Sequence, residues 1–265
     1  MKYIGYIDRR TGYIVSDDFS SSRINVFTHG SKKYVVKKEV GRYIEKVKEC
    51  EHVIKVVTDQ KIIDSIQPFY KHKITITEYK GIDLRRFIKD GGLKRLDMMK
   101  LLTICLKIAK TVKCFHDNNI CHYDIATRNI LIDNDEITFI DFDFSTECTD
   151  ELIKTDIHDL GHTFDIMFTA FGNVDKHIFD FLERMITYQC TMIEVITFFE
   201  ECILKNIIAK LYRYDTKIVN YLFKSQKKKS KKSQTKKSKK SQKKSQKKSQ
   251  KKSQKKSQKK SQKKS

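Results

Sequence analysis

The amino-acid sequence predicts an α+β fold in which a small β-rich lobe is followed by a reduced, mainly helical lobe. Short β-branched runs dominate the first part of the chain, and 34–37 is one of them. The stretch 96–116 carries apolar residues at helical spacing, as expected of a helix that faces a core. Residues 1–223 suffice for two small lobes, which we place at 1–94 and 95–223.

Residues 224–265 contain only Lys, Ser and Gln with one Thr, and settle into a Lys-Lys-Ser-Gln repeat. Their 22 lysines account for the whole formal net charge of +22. A segment without apolar residues that repels itself is expected to be disordered. It is either a solvated low-complexity run or an electrostatic arm that binds nucleic acid, an anionic membrane or an acidic partner nonspecifically.

A β-hairpin is predicted in the second lobe. The β-branched runs 129–132 and 137–140 are separated by Asp-Asn-Asp-Glu, which favours a tight turn. The hairpin places Asn129 just before its first strand and Asp141 just after its second, so both side chains emerge at one end. Two oxygen ligands suit a hard cation such as Mg²⁺, which keeps waters and substrate phosphates as its other ligands.

The sequence His122-Tyr123-Asp124 precedes this hairpin at a short, fixed offset. An acid at 124, an amide at 129 and a second acid at 141 form a minimal apparatus for transferring a phosphoryl group from ATP. Asp124 accepts the proton of the acceptor hydroxyl or orients this group, while Asn129 and Asp141 hold magnesium against the phosphates. A lone Asp–Asn pair would be explained by turn chemistry, but the combined spacing favours the catalytic interpretation.

These motifs resemble those of the eukaryotic protein-kinase superfamily. The strand that contains Lys37 is similar to the family strand whose lysine contacts the α- and β-phosphates of ATP. Its side chain shares a strand face with Val35, so the ammonium points into the cleft. In the family a glutamate on the following helix pairs with this lysine. We place that helix at 43–57, where Glu45, Glu49 and Glu51 compete for the role, and assign it to Glu49, which lies beside the apolar stripe of the helix.

The segment 74–84 resembles the last strand of the small lobe and the hinge between the lobes. The resemblance implies that Thr77 lies at the back of the adenine pocket. It also implies that the carbonyl of Glu78 and the amide of Lys80 bond the adenine edge. Asp83 is then expected near the ribose.

The resemblance gives structural roles to other polar residues. His122 is expected to brace the backbone, and Asp156 to begin the central helix of the large lobe. Asp156 braces the backbone of the catalytic loop, or serves as an N-cap, and needs no catalytic role. His116 and His122 with Cys114 and Cys121 suggest a zinc site, but the resemblance explains both histidines without a metal.

The chain also departs from the family pattern. Residues 16–26, where the resemblance places the glycine-rich loop over the phosphates, contain no glycine, so unusual nucleotide affinity is expected. Asp143 replaces the glycine that follows Asp-Phe. Tyr123 replaces the arginine before the catalytic Asp, which argues against a phosphorylation switch. Residues 142–155 are too few for the usual activation loop and peptide-docking platform.

The sequence therefore predicts an ATP- and Mg²⁺-dependent kinase that acts on protein hydroxyls. Ala126 stands where serine/threonine kinases usually have a lysine, and Arg128 is typical of tyrosine kinases. Serine/threonine specificity is nevertheless favoured, because it is the commoner class in the family. The alternatives are a small-molecule kinase and a catalytically silent pseudokinase tethered by its basic tail.

The composition also indicates a compartment. Seven cysteines at irregular spacing predict reduced thiols in a cytoplasmic protein, and the lysine-rich tail is compatible with the nucleus. We expect no signal peptide and no membrane span, since no apolar run is long enough. Abundant Lys and Ile with a single Pro resemble products of AT-rich genomes such as those of large DNA viruses.

Overall fold

The computed structural model describes residues 1–8, 14–20, 24–38 and 43–210. Residues Met1–Leu204 form one compact unit. The predicted boundary between residues 223 and 224, and the tail that follows it, lie outside the described residues.

The first lobe is a five-stranded antiparallel sheet with one short helix. Its strands are β1 (Lys2–Ile7), β2 (Ile14–Val15), β3 (Asn25–His29), β4 (Lys32–Lys38) and β5 (Ile74–Glu78), in the order β2-β1-β3-β4-β5. Helix α1 (Gln60–Ile66) lies between β4 and β5 in sequence and contributes the fully buried Ile66. Strand β4 pairs Val35 with Thr77 and Lys37 with Thr75. The predicted strand around Lys37 is therefore confirmed.

The predicted helix over 43–57 is wrong. Residues 43–52 form turns, and the following residues make backbone hydrogen bonds to two strands instead of to each other. Ile54 N donates to Phe139 O at 3.0 Å, and Val57 N donates to Ile76 O at 2.8 Å. Because the β-branched residues after position 52 favour extended backbone, this segment bridges the two lobes as an extended chain.

The second lobe is mainly helical. Its helices are α2 (Leu84–Lys89), α3 (Met98–Asp117), α4 (Asp150–Phe171), α5 (Lys176–Ile186) and α6 (192–210). The predicted helix over 96–116 is confirmed as α3, whose apolar face is buried in the main core. The two-lobe α+β prediction is also confirmed. No helix among the described residues is long and apolar enough to cross a membrane.

Short strands support the site from below. They are β6 (Ile82–Asp83), β7 (Ile120–Cys121), β8 (Ile130–Asp133), β9 (Glu136–Phe139) and β10 (Thr146–Glu147). Strands β8 and β9 form the predicted antiparallel hairpin, with Asp133 opposite Glu136. Asn134 and Asp135 both have positive φ, 49° and 69°, as a type I′ turn requires. The hairpin prediction is confirmed.

Cys50 and Cys114 form a disulfide that joins the turn segment 43–52 to α3. The expectation that all seven cysteines are reduced is therefore wrong for this pair. The sequence spacing gave no sign of the bond, because 64 residues separate the partners and only the fold brings them together. The other cysteines are free thiols.

Candidate active site

A cleft of about 330 Å³ lies between the β1–β5 sheet and the β8–β9 hairpin. Its walls are mostly apolar and come from both lobes: Ile7, Ile24, Val35, Ile44, Ile54, Leu131 and Ile140. Its polar lining includes the predicted catalytic and metal-binding residues: Lys37, Asp124, Asn129 and Asp141. A mostly apolar cavity with a few convergent polar groups is typical of small-molecule sites, and this one is large enough to hold most of a nucleotide.

Lys37 and Asp141 lie 104 residues apart in sequence but are in direct contact. The Lys37 Nζ donates to Asp141 Oδ1 at 2.7 Å and to Asp143 Oδ1 at 3.1 Å. Lys37 reaches this position because the alternation of β4 turns its side chain away from the buried face that carries Val36. Burial raises the pKa of Asp143, and Asp141 adds to the rise while Lys37 opposes it.

Asp124 and Asn129 are held together by hydrogen bonds within one short loop. Asn129 Nδ2 donates to Asp124 Oδ2 at 2.7 Å and to the Asp124 carbonyl at 2.8 Å. These bonds use the amide nitrogen and so orient the amide oxygen of Asn129, which is the atom a hard cation binds. Arg128 donates to Asp124 Oδ1, so both carboxylate oxygens of the candidate base accept a hydrogen bond.

Asp156 braces the backbone of this loop, as predicted. Its fully buried carboxylate accepts from His122 N at 2.9 Å and from Tyr123 N at 2.8 Å. Tyr123 has a φ of 59°, which is strained for a residue with a side chain, and the bond to Asp156 helps to hold it there. The N-cap alternative is wrong, because α4 already begins at Asp150 and its cap is Thr149.

An aromatic cluster fixes the position of Asp141 from below. Phe142 is buried and packs on the His122 ring at 4.8 Å and on Phe115 at 5.4 Å between ring centroids. Burial lowers the pKa of His122, although Asp156 opposes the effect, and a His122 ring nitrogen lies 3.2 Å from Ile140 O. Asp141 itself has a left-handed φ of 68°, a conformation held by the anchored residues on both sides.

Comparison with known proteins agrees with this geometry. The family model of the protein tyrosine and serine/threonine kinases matches residues 30–255. The chain belongs to this family.

A curated relative supports the assignment over a shorter stretch. Over 73 residues the chain is 37% identical to the kinase and exchange factor for Rac A of Dictyostelium discoideum. The match covers 26% of this chain and 6% of that protein, so the chain spans only a small part of the length of this relative.

The predicted hinge follows β5, and its residues divide between the cleft and the surface. Glu78 and Asp83 line the cleft, whereas Lys80 is absent from its described lining. Hydrogen bonds from Lys80 and Lys32 lower the pKa of the Glu78 carboxyl, with Nζ–Oε distances of 2.8 and 3.2 Å. The Asp83 side chain caps α2 by accepting from Arg86 N at 2.8 Å. Asp83 therefore has a structural role in addition to any contact with a ribose.

Strand β1 reaches the cleft at a place that the sequence did not indicate. Ile7, Asp8 and Ile24 line the cleft, whereas residues 16–20 do not. Strands β1 and β2 pair Ile7 with Ile14. Residues 9–13 between them lie outside the described residues, as do 21–23 of the predicted phosphate loop.

The predicted pair between Lys37 and Glu49 is absent. Glu49 is exposed in the turn segment, and among the described residues no ion pair joins Lys37 to a glutamate of 43–57. The physical reason is the missing helix, since a glutamate can face β4 only if a helix presents it. The sequence did contain Asp143, which contacts Lys37 in the structure, but no spacing rule connected the two residues.

The donor set at the polar end of the cleft fits magnesium. Asn129 and Asp141 offer amide and carboxylate oxygens, and both line the same cavity. Oxygen ligands of this kind, few in number, are what Mg²⁺ takes when substrate phosphates complete its shell. Asn129 and Asp141 are therefore the residues that would hold the ion.

Proposed function

We propose that this protein is a kinase that transfers the γ-phosphate of ATP, with Mg²⁺, to a hydroxyl group of a protein. The observation that carries the proposal is the convergence of four side chains from both lobes on one cleft: Lys37, Asp124, Asn129 and Asp141. Phosphoryl transfer needs mainly positioning and charge neutralisation, and these groups supply both.

The side chains divide the work. Asp124 accepts the proton of the acceptor hydroxyl or orients this group, while Asn129 and Asp141 hold the metal. Lys37 binds the α- and β-phosphates. When bound, Mg²⁺ neutralises charge on the phosphates. The Arg128 and Asn129 bonds to Asp124 fix its carboxylate, so that little reorganisation is needed when the acceptor binds.

The hinge is proposed to hold the nucleoside. The Glu78 carbonyl and the Lys80 amide bond the adenine edge, and Asp83 lies near the ribose. Two observations support this: Thr77, Glu78 and Asp83 line the cleft, and β5 runs directly into the hinge.

Serine and threonine are proposed as the acceptors in preference to tyrosine, because they are the commoner acceptors in the family. The ion pair between Arg128 and Asp124 is the observation that favours tyrosine, since an arginine at this spacing is typical of tyrosine kinases. The acceptor is therefore the first property to measure.

The decisive experiment is a transfer assay on the full chain. We expect labelled phosphate from [γ-³²P]ATP to appear on generic protein acceptors only when Mg²⁺ is present. Phosphoamino-acid analysis then distinguishes serine and threonine from tyrosine. Absence of transfer by a folded protein that binds ATP contradicts the proposal and indicates a silent scaffold.

A small-molecule kinase is the second candidate. The observation that favours it is the short connection between the site and α4, which occupies only 142–149 before the helix begins at Asp150. This leaves little chain for a peptide-docking platform. Transfer to aminoglycosides or sugars but not to proteins would support this candidate.

We further propose that the protein is cytoplasmic and that residues 224–265 bind nucleic acid or acidic partners nonspecifically. The support for this binding is the charge of the segment, whose 22 lysines are not balanced by any acid. Binding of this kind weakens steeply with salt and ignores sequence. Titration of the full chain and of a chain ending at residue 223 with unrelated DNA duplexes tests it, and equal affinity of the two contradicts it.

A further inference from the structure

We infer that Asp143 is the positioning residue that holds the Lys37 ammonium in the cleft, in place of the small-lobe glutamate used by the family. The inference rests on the proposed function. It assigns the role through the contact between Lys37 Nζ and Asp143 Oδ1, which are 3.1 Å apart.

A lysine needs such a partner. Its ammonium is a point charge on a flexible four-carbon stem, so a fixed aim at two phosphates requires a second charge to hold it. The side chain of Lys37 is 23% exposed and that of Asp143 is 26% exposed. At this burial a charge-assisted hydrogen bond is stronger than a surface ion pair.

The three glutamates of 43–57, Glu45, Glu49 and Glu51, form no ion pair with Lys37. They lie in the segment that the structure shows as turns. Glu45 pairs with Lys48 at 3.4 Å, Glu51 lies 3.9 Å from His52, and Glu49 is exposed. Two carboxylates of the large lobe take the lysine instead.

Asp143, and not Asp141, is suited to keep the lysine during the reaction. Asp141 is expected to bind the metal, so its carboxylate is then shared between the ion and Lys37. Asp143 follows it in the single helical turn Phe142–Phe144. Phe142 anchors this turn in the core, and Ser145 N closes it by donating to Phe142 O at 3.2 Å. The backbone that carries Asp143 is therefore fixed.

The turn also accepts a side chain at position 143 without strain. The left-handed φ in this segment belongs to Asp141, at 68°, and not to Asp143. An aspartate therefore fits where the family has a glycine. The consequence is that the residue proposed to hold the Lys37 ammonium comes from the large lobe and not from a small-lobe helix.

The test compares Asp143→Asn with Glu49→Gln in the full chain. Both changes remove one negative charge and preserve side-chain shape. We expect Asp143→Asn to lower kcat/KM for ATP by roughly tenfold to a hundredfold, the range of a lost charge-assisted hydrogen bond. We expect Glu49→Gln to change it less than about twofold. Equal melting temperatures would show that neither change acts through folding.

Three further measurements separate positioning from other roles. Asp143→Glu should recover part of the loss, because it restores a carboxylate. In a Lys37→Met background, Asp143→Asn should have no further effect on kcat/KM, because there is no longer an ammonium for Asp143 to hold. The Mg²⁺ concentration for half-maximal activity should stay the same in Asp143→Asn.

Opposite results overturn the inference. One is an unchanged kcat/KM in Asp143→Asn, and another is a loss of kcat/KM from this change that persists in the Lys37→Met background. A raised Mg²⁺ requirement in Asp143→Asn would mark Asp143 as a metal ligand. A large loss of kcat/KM in Glu49→Gln would also contradict the inference. An active wild-type protein with any of these results overturns the inference alone. A folded wild-type protein that transfers no phosphate overturns the proposed function as well.

Discussion

The two sides of the cleft differ in how closely their structure follows the sequence prediction. On the large-lobe side, Asp124, Asn129 and Asp141 line one cleft, and the loop that carries Asp124 is held by hydrogen bonds to Asp156. On the small-lobe side, the predicted strands around Lys37 and Thr77 keep their places, while the helix over 43–57 is replaced by turns and an extended chain. A loop fixed by a buried polar network tolerates little change, whereas an ion pair in a cleft can be remade by another carboxylate.

The same contrast appears in backbone geometry. Tyr123 and Asp141 have positive φ values of 59° and 68°, and each is held by buried neighbours. Strain of this kind persists only where the surroundings over-determine it. The extended segment 53–57 is fixed instead by ordinary strand-like hydrogen bonds to Phe139 and Ile76, and by the nearby Cys50–Cys114 disulfide.

The largest effect is expected from Asp124→Asn on the large-lobe side. Removing the carboxylate that orients the acceptor should lower kcat by about 10²–10⁴-fold. The fold should be unaffected, because Asn preserves the side-chain shape and Asn129 still bonds the Asp124 carbonyl oxygen. Transfer assays and thermal melts of the full chain measure both, and full activity in the variant would refute the role of this residue.

Asp156→Ala should damage the same side through stability. It leaves the amides of His122 and Tyr123 buried without an acceptor, so the free energy of unfolding should fall by about 3–5 kcal/mol. Urea titration gives the value. The exposed Glu151→Gln, on the same helix, is the matched control and should change stability by less than about 0.5 kcal/mol. Similar values for the two variants would mean that the bracing network is dispensable.

The smallest effect on activity is expected on the small-lobe side, from loss of the disulfide. Reduction with dithiothreitol, or Cys114→Ser, should lower the free energy of unfolding by about 2–4 kcal/mol, because a closure over 64 residues is lost. kcat should change only a few-fold, since the segment supplies no partner to Lys37. Denaturation with and without reductant measures the stability. A wild-type protein that is insensitive to reductant and shows seven titratable thiols would contradict the bond.

Local signals were sufficient for much of the fold. The β8–β9 hairpin followed from β-branched runs around Asn134-Asp135, and α3 followed from apolar spacing. The convergence of Asp124, Asn129 and Asp141 on one cleft followed as well, because their spacing along the chain is short and fixed. The predicted helix over 43–57 failed because the bonds that its backbone makes, to Phe139 and Ile76, belong to distant strands.

The sequence by itself determined which chemistry to propose, since the residue types and offsets from His122 to Asp141 predict phosphoryl transfer without any coordinates. Only the tertiary structure decided which carboxylates contact Lys37 and which cysteines are joined. The physical reason is the distance along the sequence between the residues that make contact. Hydrogen bonds within a loop are encoded by neighbours in sequence, whereas contacts across the cleft form only after both lobes have packed.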